Sequence, residues 1–265
     1  MRPVSVVIAL GVAAVGCSGT SKGGGTAKAP STLPTGKEVV AKLEAMSKAR
    51  TSFSAATVMD YWLGQQRLKG EVLVMGTDKR QVRFNANDPA GLLIADMGCN
   101  GQEFAFKDMR NNCQLTGPCN QQSIARFLRV ELEPDDFLHF ALGTPPVDPS
   151  ADGTVVWDAK RGAMVATLTS PEGTQKLVID NQWDVLSSEL VDKSGKVVWS
   201  VEQSDFKPYK DAAGVEHRLP GLTRFKSPRQ EADLKVEWKE RVVNPTLAAS
   251  KFVVPMPEGL PQCTK

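Results

Sequence analysis

The residues in this 265-residue chain with the most chemistry to offer are its five cysteines, Cys17, Cys99, Cys113, Cys119 and Cys263. A thiol can be acylated, bridged to another thiol or bound to a metal, and sequence spacing separates these uses. Metal binding calls for spacings such as C-x2-C, which none of the cysteines has with another cysteine or with a histidine, so a zinc site is set aside. Only two histidines occur, His139 and His217. His139 lies beside an apolar helical face and reads as a packing or surface residue. No G-x-S-x-G, H-E-x-x-H, P-loop or EF-hand pattern is present. Ser204-Asp205-Phe206-Lys207 matches S-x-x-K at a strand end without companion motifs, and reads as chance. Glu133, Asp135 and Asp136 have a dipole reason to stand at a helix start, so they do not require a cation. No catalytic residue, metal or cofactor is expected.

Cys17 differs from the other four in what precedes it. Met1 to Gly16 holds one charge, Arg2, then an apolar run from Val4 to Val15 and a small residue directly before the cysteine. That is the pattern of a secretory signal, with an apolar run too short to span a bilayer. Ala14-Val15-Gly16-Cys17 resembles the bacterial lipoprotein box, with alanine where leucine is commoner. The resemblance implies cleavage before Cys17 and acylation of its sulfur and new amine, which gives a stable membrane anchor at about 0.8 kcal/mol per buried CH2. Ser18 agrees with the sorting rule of such lipoproteins for the outer membrane. Residues 17–36, rich in Gly, Ser, Thr and Pro, read as a flexible tether. The expected organisation is a signal over 1–16, a lipidated cysteine and linker over 17–36, and one domain over 37–265.

With Cys17 assigned to lipid, Cys99, Cys113, Cys119 and Cys263 are an even number in an oxidising compartment, and two disulfides are expected. Three pairings exist. The expectation favours Cys113 with Cys119, since Leu115-Thr116-Gly117-Pro118 can turn the chain between them, leaving Cys99 for Cys263. The chain has 32 basic and 30 acidic residues, a balance that favours neither nucleic acid nor an acidic substrate.

The elements that must position these residues are mostly strands. Thr35-Gly36-Lys37-Glu38 reads as a capping box, and Val39, Val40, Leu43 and Met46 follow on one helical face to about Arg50. From Thr51 the period becomes two, with strands expected at 52–63, 68–76, 81–85, 91–97 and 102–107. Two short helices follow, over 123–132 with Ile124, Phe127 and Leu128, and from Pro134 with Phe137, Leu138 and Ala141. Gly143 and Pro145-Pro146 stop the second. Strands resume at 154–158, 163–169, 174–180, 185–192, 196–206, 219–225 and 232–243.

Alternation along these strands places Val82, Phe84, Phe104, Phe106, Val155, Trp157, Leu177, Ile179, Trp199, Leu234, Val236 and Trp238 on one face. Residues such as Arg83, Lys107, Glu202, Lys235 and Glu237 take the other. One wet and one apolar face imply a single curved sheet, covered by three short helices. Its apolar side, with Phe127 and Leu138 from the helices, reads either as a lined cavity for apolar ligands or as a filled core; periodicity does not choose. A basic group, Arg218, Arg224, Lys226, Arg229, Lys235, Lys239 and Arg241, is interleaved with acids and reads as a solvated face.

Three stretches resemble the periplasmic lipoprotein carriers and outer-membrane lipoprotein receptors called LolA and LolB. Asn87-Asp88-Pro89-Ala90-Gly91 after Val82-Arg83-Phe84 is similar to the receptor's N-P-L-G loop. Phe137 to Pro145 resembles its helix ending in L-G-x-P. Leu219-Pro220, the strand to Val243, Asn244-Pro245-x-Leu247 and Phe252-Val253-Val254-Pro255-x-Pro257 resemble the closing strands of the wider superfamily. The likeness spans about Gly36 to Gly259. It implies an α+β fold, mainly β, in which one curved antiparallel sheet forms an incomplete barrel with a helical lid over an apolar cavity for acyl chains. It implies no catalysis, partners that are lipid or lipoprotein acyl chains, a periplasmic carrier protein as a further candidate partner, and a place on the outer membrane facing the periplasm. The receptor-like loop Pro89, Ala90 and Gly91 departs from the pattern, because Ala90 stands where the receptor has a projecting leucine; Leu92 and Leu93 lie close by. A structural or assembly lipoprotein using the fold as a scaffold is the alternative.

Overall fold

The structure, a computed structural model, describes residues 29–88, 90–128 and 132–263, without the side chains of Leu63, Gln66, Arg126, Phe127 and Leu128. Cys17, Pro89 and the Phe127 side chain, all singled out by the sequence, lie outside the described residues.

The chain opens with helix α1 (Gly36–Lys48) and continues through β1 (Ser52–Leu63), β2 (Gln66–Thr77), β3 (Gln81–Asn87), β4 (Leu93–Asn100), β5 (Glu103–Asp108) and β6 (Cys113–Pro118). Helices α2 (Gln121–Leu128) and α3 (Pro134–Ala141) interrupt the strands. Then come β7 (Asp152–Asp158), β8 (Ala163–Ser170), β9 (Gly173–Ile179), β10 (Val185–Val191), β11 (Val197–Ser204), β12 (Lys207–Lys210), β13 (Glu216–Leu219), β14 (Leu222–Ser227) and β15 (Ala232–Val243). Thirteen strands form one large antiparallel sheet in the order β6-β5-β4-β3-β2-β1-β15-β14-β11-β10-β9-β8-β7, and β12 with β13 makes a separate hairpin. The sheet is not closed, since β6 and β7 stand at its two ends. The long strands β1 and β15 pair over their whole length and join the two halves of the chain at the middle.

Local chemistry explains the helix starts. Thr35 caps α1: its hydroxyl accepts from the Glu38 N–H at 3.3 Å, and the Glu38 carboxylate accepts from the Thr35 N–H at 2.7 Å. That closes a capping box. Val39, Val40 and Leu43 are buried on the face that meets β7 and β8. Pro134 opens α3, and the Asp136 carboxylate accepts from the Glu133 N–H at 2.8 Å. Gly143, at φ +73°, ends the helix where an added Cβ would meet Pro220 at 2.8 Å. Only glycine fits that position without displacing the proline.

Four expectations need correction. Cys99 bonds Cys119 and Cys113 bonds Cys263, because Leu115 to Pro118 is not a turn but part of β6, paired with β5. Six extended residues carry Cys113 and Cys119 roughly 20 Å apart, far beyond disulfide reach. The strand expected at 219–225 is broken at Pro220-Gly221, where the Gly221 N–H donates to the carbonyls of Ser204 and Asp205. Its parts are β13, which pairs with the unforeseen β12, and β14 in the main sheet. The apolar rows do not share one interior: Val155, Trp157, Leu177 and Ile179 belong to a cluster under α1, separate from the larger one under α2 and α3. The outer face is not uniformly wet either. The chain after β15 crosses it, burying Phe252 and Val254, and Arg83 donates from beneath to the Lys251 and Val253 carbonyls at 2.8 and 3.0 Å. Gly98 makes this crossing possible, since a Cβ there would lie 2.6 Å from the Phe252 carbonyl oxygen.

Candidate functional site

The larger cluster gathers Val82, Phe84, Phe104, Phe106, Leu138, Val236 and Trp238 as buried residues, with Trp199 and Leu234 partly buried against them. Strand alternation supplies one wall, from β3 to β6 and from β15, β14 and β11. The other wall is Ile124 of α2 and Phe137, Leu138, Phe140 and Ala141 of α3. Ring contacts join the walls: Phe84 meets Phe137 at 5.1 Å, and Phe140 meets Trp199 at 5.9 Å and Phe225 at 5.2 Å. Such aromatic pairs add about 0.5–1.5 kcal/mol each beyond the area they bury.

The C-terminal end of α3 is held differently, by two buried guanidinium groups. Arg50, just past α1, donates to the Leu142 carbonyl, and Arg241 of β15 donates to the carbonyls of Ala141 and Pro220. A third side chain, Gln203, donates to the Phe140 carbonyl at 3.4 Å. These are the carbonyls a helix leaves without partners at its end, and cations suit that end of the dipole. Burial pushes both arginines down to about 10. Arg241 is also sandwiched against the rings of Trp238 at 4.8 Å and Tyr209 at 5.0 Å.

Around the two arginines runs a belt of further polar groups. Asp184, 3% exposed, accepts two bonds from Arg218 at 2.9 and 2.7 Å, and its burial raises the carboxylate pKa. Asp211 accepts from the His217 ring at 3.0 Å and from Asn244 at 3.1 Å, and these bonds, the histidine's foremost, hold it down at about 2. The belt ties the end of α1, the end of β15 and the β12–β13 hairpin together under the end of α3. Arg218 and Arg241 are therefore structural ligands of carboxylate and carbonyl groups, a correction to the solvated basic face expected of them.

His139 of α3 is partly buried and sits 3.3 Å from the Ser47 hydroxyl of α1, and its burial lowers its pKa. Asp136, half-buried at the start of the same helix, is pushed up to about 6, mainly by desolvation. Among the described residues no group of three or more His, Cys, Asp or Glu side chains converges as a metal site. Lys207 of the S-x-x-K match pairs with Asp205 at 2.9 Å.

The receptor-like loop is a tight tip between β3 and β4, built by Asp88, whose carboxylate accepts from Ala90 and Leu92 N–H at 2.9 and 3.0 Å. It turns Leu92 outward, 66% exposed, with Leu93 beside it at 39%. The β1–β2 hairpin reaches past this tip on the same end of the sheet, since Glu71 pairs with Asn87, and it carries Leu68, 65% exposed. Sequence reading found Leu92 and Leu93 but not Leu68, whose partner across the hairpin is Tyr61.

An open curved antiparallel sheet with α2 and α3 packed on its apolar side defines a LolA-like fold. Solved structures bear this likeness out over most of the chain. A DUF1329 family protein from Desulfovibrio piger superposes with a TM-score of 0.54 at 14% identity, over 84% of this chain and 98% of that one. An outer membrane lipoprotein-sorting protein domain from Vibrio parahaemolyticus gives 0.55 at 11% identity, over 82% and 95%. A LolA superfamily protein from Nitrosomonas europaea gives 0.51 at 10%, over 84% and 99%. No protein-family model and no curated protein matches the sequence.

Proposed function

We propose that this chain is a lipid-anchored, non-enzymatic envelope protein that takes acyl chains of lipids or lipoproteins into the apolar interior beneath α2 and α3. The observation that supports it best is how the two helices are attached. The described side chains that face the sheet, Ile124, Phe137, Leu138 and Phe140, are apolar, and the polar ties of α3 lie at its two ends: Arg50 and Arg241 hold the Leu142 and Ala141 carbonyls, and Arg80 pairs with Glu133 at 2.7 Å and Asp135 at 3.8 Å. The buried ties at the Ala141–Leu142 end act as the hinge of a lid, and the exposed Arg80 pairs, of a kind worth about 0–1 kcal/mol each, are the latch that opening breaks. Lifting it opens a continuous apolar surface that includes Phe84, Phe104, Phe106, Trp199 and Trp238. In this reading Cys17 carries the lipid, and the hairpin tips with Leu68, Ala90 and Leu92 face the bilayer of the outer membrane.

The second reading, a scaffold with a permanent core, is favoured by the close ring packing of Phe137 and Phe140 against the sheet. One experiment separates the two. In the full-length chain carrying Cys17→Ala, Trp199→Ala is made and fatty-acid probe binding is measured beside thermal unfolding. The carrier reading expects wild-type binding, lost in the variant with a small fall in melting temperature, because Trp199 is only partly buried. A protein that binds no acyl probe, and whose variant loses about 3–5 kcal/mol as aromatic truncation in a tight core does, is a scaffold. The anchor has its own test: palmitate should label the wild-type chain and not Cys17→Ser, and labelling that persists in the serine variant removes Cys17 from this role.

A further inference from the structure

The sheet face opposite the two apolar clusters holds an open cleft of about 720 Å³. Alternation puts Val178, Glu202, Ser204, Leu222, Arg224 and Lys235 on this face, since Leu177, Val201, Thr223 and Val236 are buried on the other. A register shift between Val185 and Ser187 changes the phase of β10 and turns Leu186 to the same side. Leu186 and Val178 pack there with Ala163 and Val165, and with Leu222 they give the cleft an apolar floor. The floor runs across strands β9, β10, β11, β14 and β15, roughly 19 Å at the usual strand spacing. Its volume falls in the range of small-molecule sites.

Charge is arranged at one end. Arg224 and Lys235 are register partners on β14 and β15, and like charges directly opposite repel. Asp233 is bound by Arg224 at 2.9 and 2.6 Å, and Asp60, which faces Lys235 across β1, is bound by Arg67 at 2.8 and 2.6 Å. Glu202, the other neighbour of Arg224, lies on β11, one strand further from the lysine. Among the described residues Lys235 makes no ion pair, and its ammonium stands at the end of an apolar trough.

We propose that this cleft is a second binding site, on the outer face and independent of the interior one, for a single-chain amphiphile with an anionic head such as a long-chain fatty acid. The head lies at Lys235, beside Arg224, and the chain lies over Leu222, Leu186 and Val178 toward Arg161. An apolar floor alone would accept any chain; the leftover cation selects the anion.

The test uses the full-length chain with Cys17→Ala and palmitate bearing a photoreactive diazirine, with labelled peptides mapped by mass spectrometry. Labelling is expected on the peptides around Leu186 and Leu222, and Leu222→Asp should reduce it about tenfold, the worth of one buried leucine. Lys235→Glu should reduce it as well with no change in melting temperature, and hexadecanol, which has the chain without the charge, should compete poorly. Label confined to α2, α3 and strands β3 to β6, which carry none of the cleft's lining, overturns the outer site and leaves the interior one standing. Label on the outer peptides alone does the reverse. Outer labelling that neither variant reduces also overturns the proposal.

Discussion

Arg241 shows how a single residue escapes a pattern. Leu234, Val236 and Trp238 alternate inward along β15, and continuing that period sends Arg241 outward to solvent. The pairing with β1 slips between Ala56 and Thr57, where Lys239 has no partner, and this bulge shifts the phase so that Arg241 and Val243 face in. A bulge adds one residue and flips every side chain beyond it. The consequence is a buried guanidinium serving two carbonyls, so Arg241→Leu is expected to destabilise the protein by about 2–4 kcal/mol, the cost of leaving buried acceptors unpaired. Arg241→Lys should not restore this, because an ammonium lacks the planar fork. Urea unfolding with amide exchange in α3 measures it; wild-type stability in the leucine variant would mean the fastening is not at this residue. Asp136 carries a pH effect in the same helix. Its folded pKa is raised to about 6, so its contribution is fully present below the unfolded carboxylate pKa near 4 and is lost as pH rises through about 6. Asp136→Asn is therefore expected to gain about 1 kcal/mol at pH 7.5 relative to wild type, after allowance for solvent screening, and to gain nothing at pH 4. Equal effects at both pH values would contradict the desolvation account. His139, with its pKa lowered by burial, works in the opposite sense: its neutral form suits the fold, and acid that protonates it weakens the contact with Ser47.

At the scale of elements, the sequence was most legible where local chemistry and periodicity agree. The capping box at Thr35 and Glu38, the Pro134 start and Gly143 stop of α3, and the alternation of β3 and β5 all describe what the chain does. Legibility failed where long-range pairing decides. Gln114 to Pro118 has weak strand character, with Gly117 and Pro118 at its end, and becomes β6 because β5 offers it a ladder. That ladder fixes both disulfides. Cys119 lies beside Cys99 across the end of β5, and Cys113 is left at the sheet edge, where Gln114 forms a parallel bridge with Gln262. The candidate site was half legible for the same reason: inward rows were found, but their division between two clusters depends on which strands become neighbours. The Cys113–Cys263 bond closes a loop of 150 residues and pins the segment that crosses the outer face. Cys263→Ser is expected to lower stability by about 2–4 kcal/mol and to raise amide exchange in β6 before any other strand. Exchange that rises evenly over the sheet would show that the segment is held by Phe252 and Val254 alone.

For the whole molecule, the arrangement of exposed apolar side chains sets a direction. Leu92 and Leu93 at the β3–β4 tip and Leu68 on the β1–β2 hairpin project from one end of the sheet, and Gly70 rests 3.3 Å, at the position of an added Cβ, from the Asn87 carbonyl, so the two hairpins run side by side. Isolated exposed leucines are ordinary on protein surfaces; three on two adjacent tips are a ready contact for the bilayer that the proposed acylation of Cys17 would bring near. Trp62, with Arg67 stacked 4.7 Å over its ring, stands on the same hairpin, a pairing suited to the interface between headgroups and acyl chains. Each leucine fully buried in lipid contributes about 1.5–3 kcal/mol. Full-length chain with Cys17→Ala should then sediment with vesicles of phosphatidylcholine and phosphatidylglycerol, and Leu68→Asp with Leu92→Asp should weaken that partition by about tenfold or more without altering the melting temperature. The same pair of changes placed at Val156 and Val242, which are exposed elsewhere on the sheet, should have no such effect. If the two tip variants leave partition unchanged, or if the control pair reduces it equally, the hairpin end is not the face that meets the membrane.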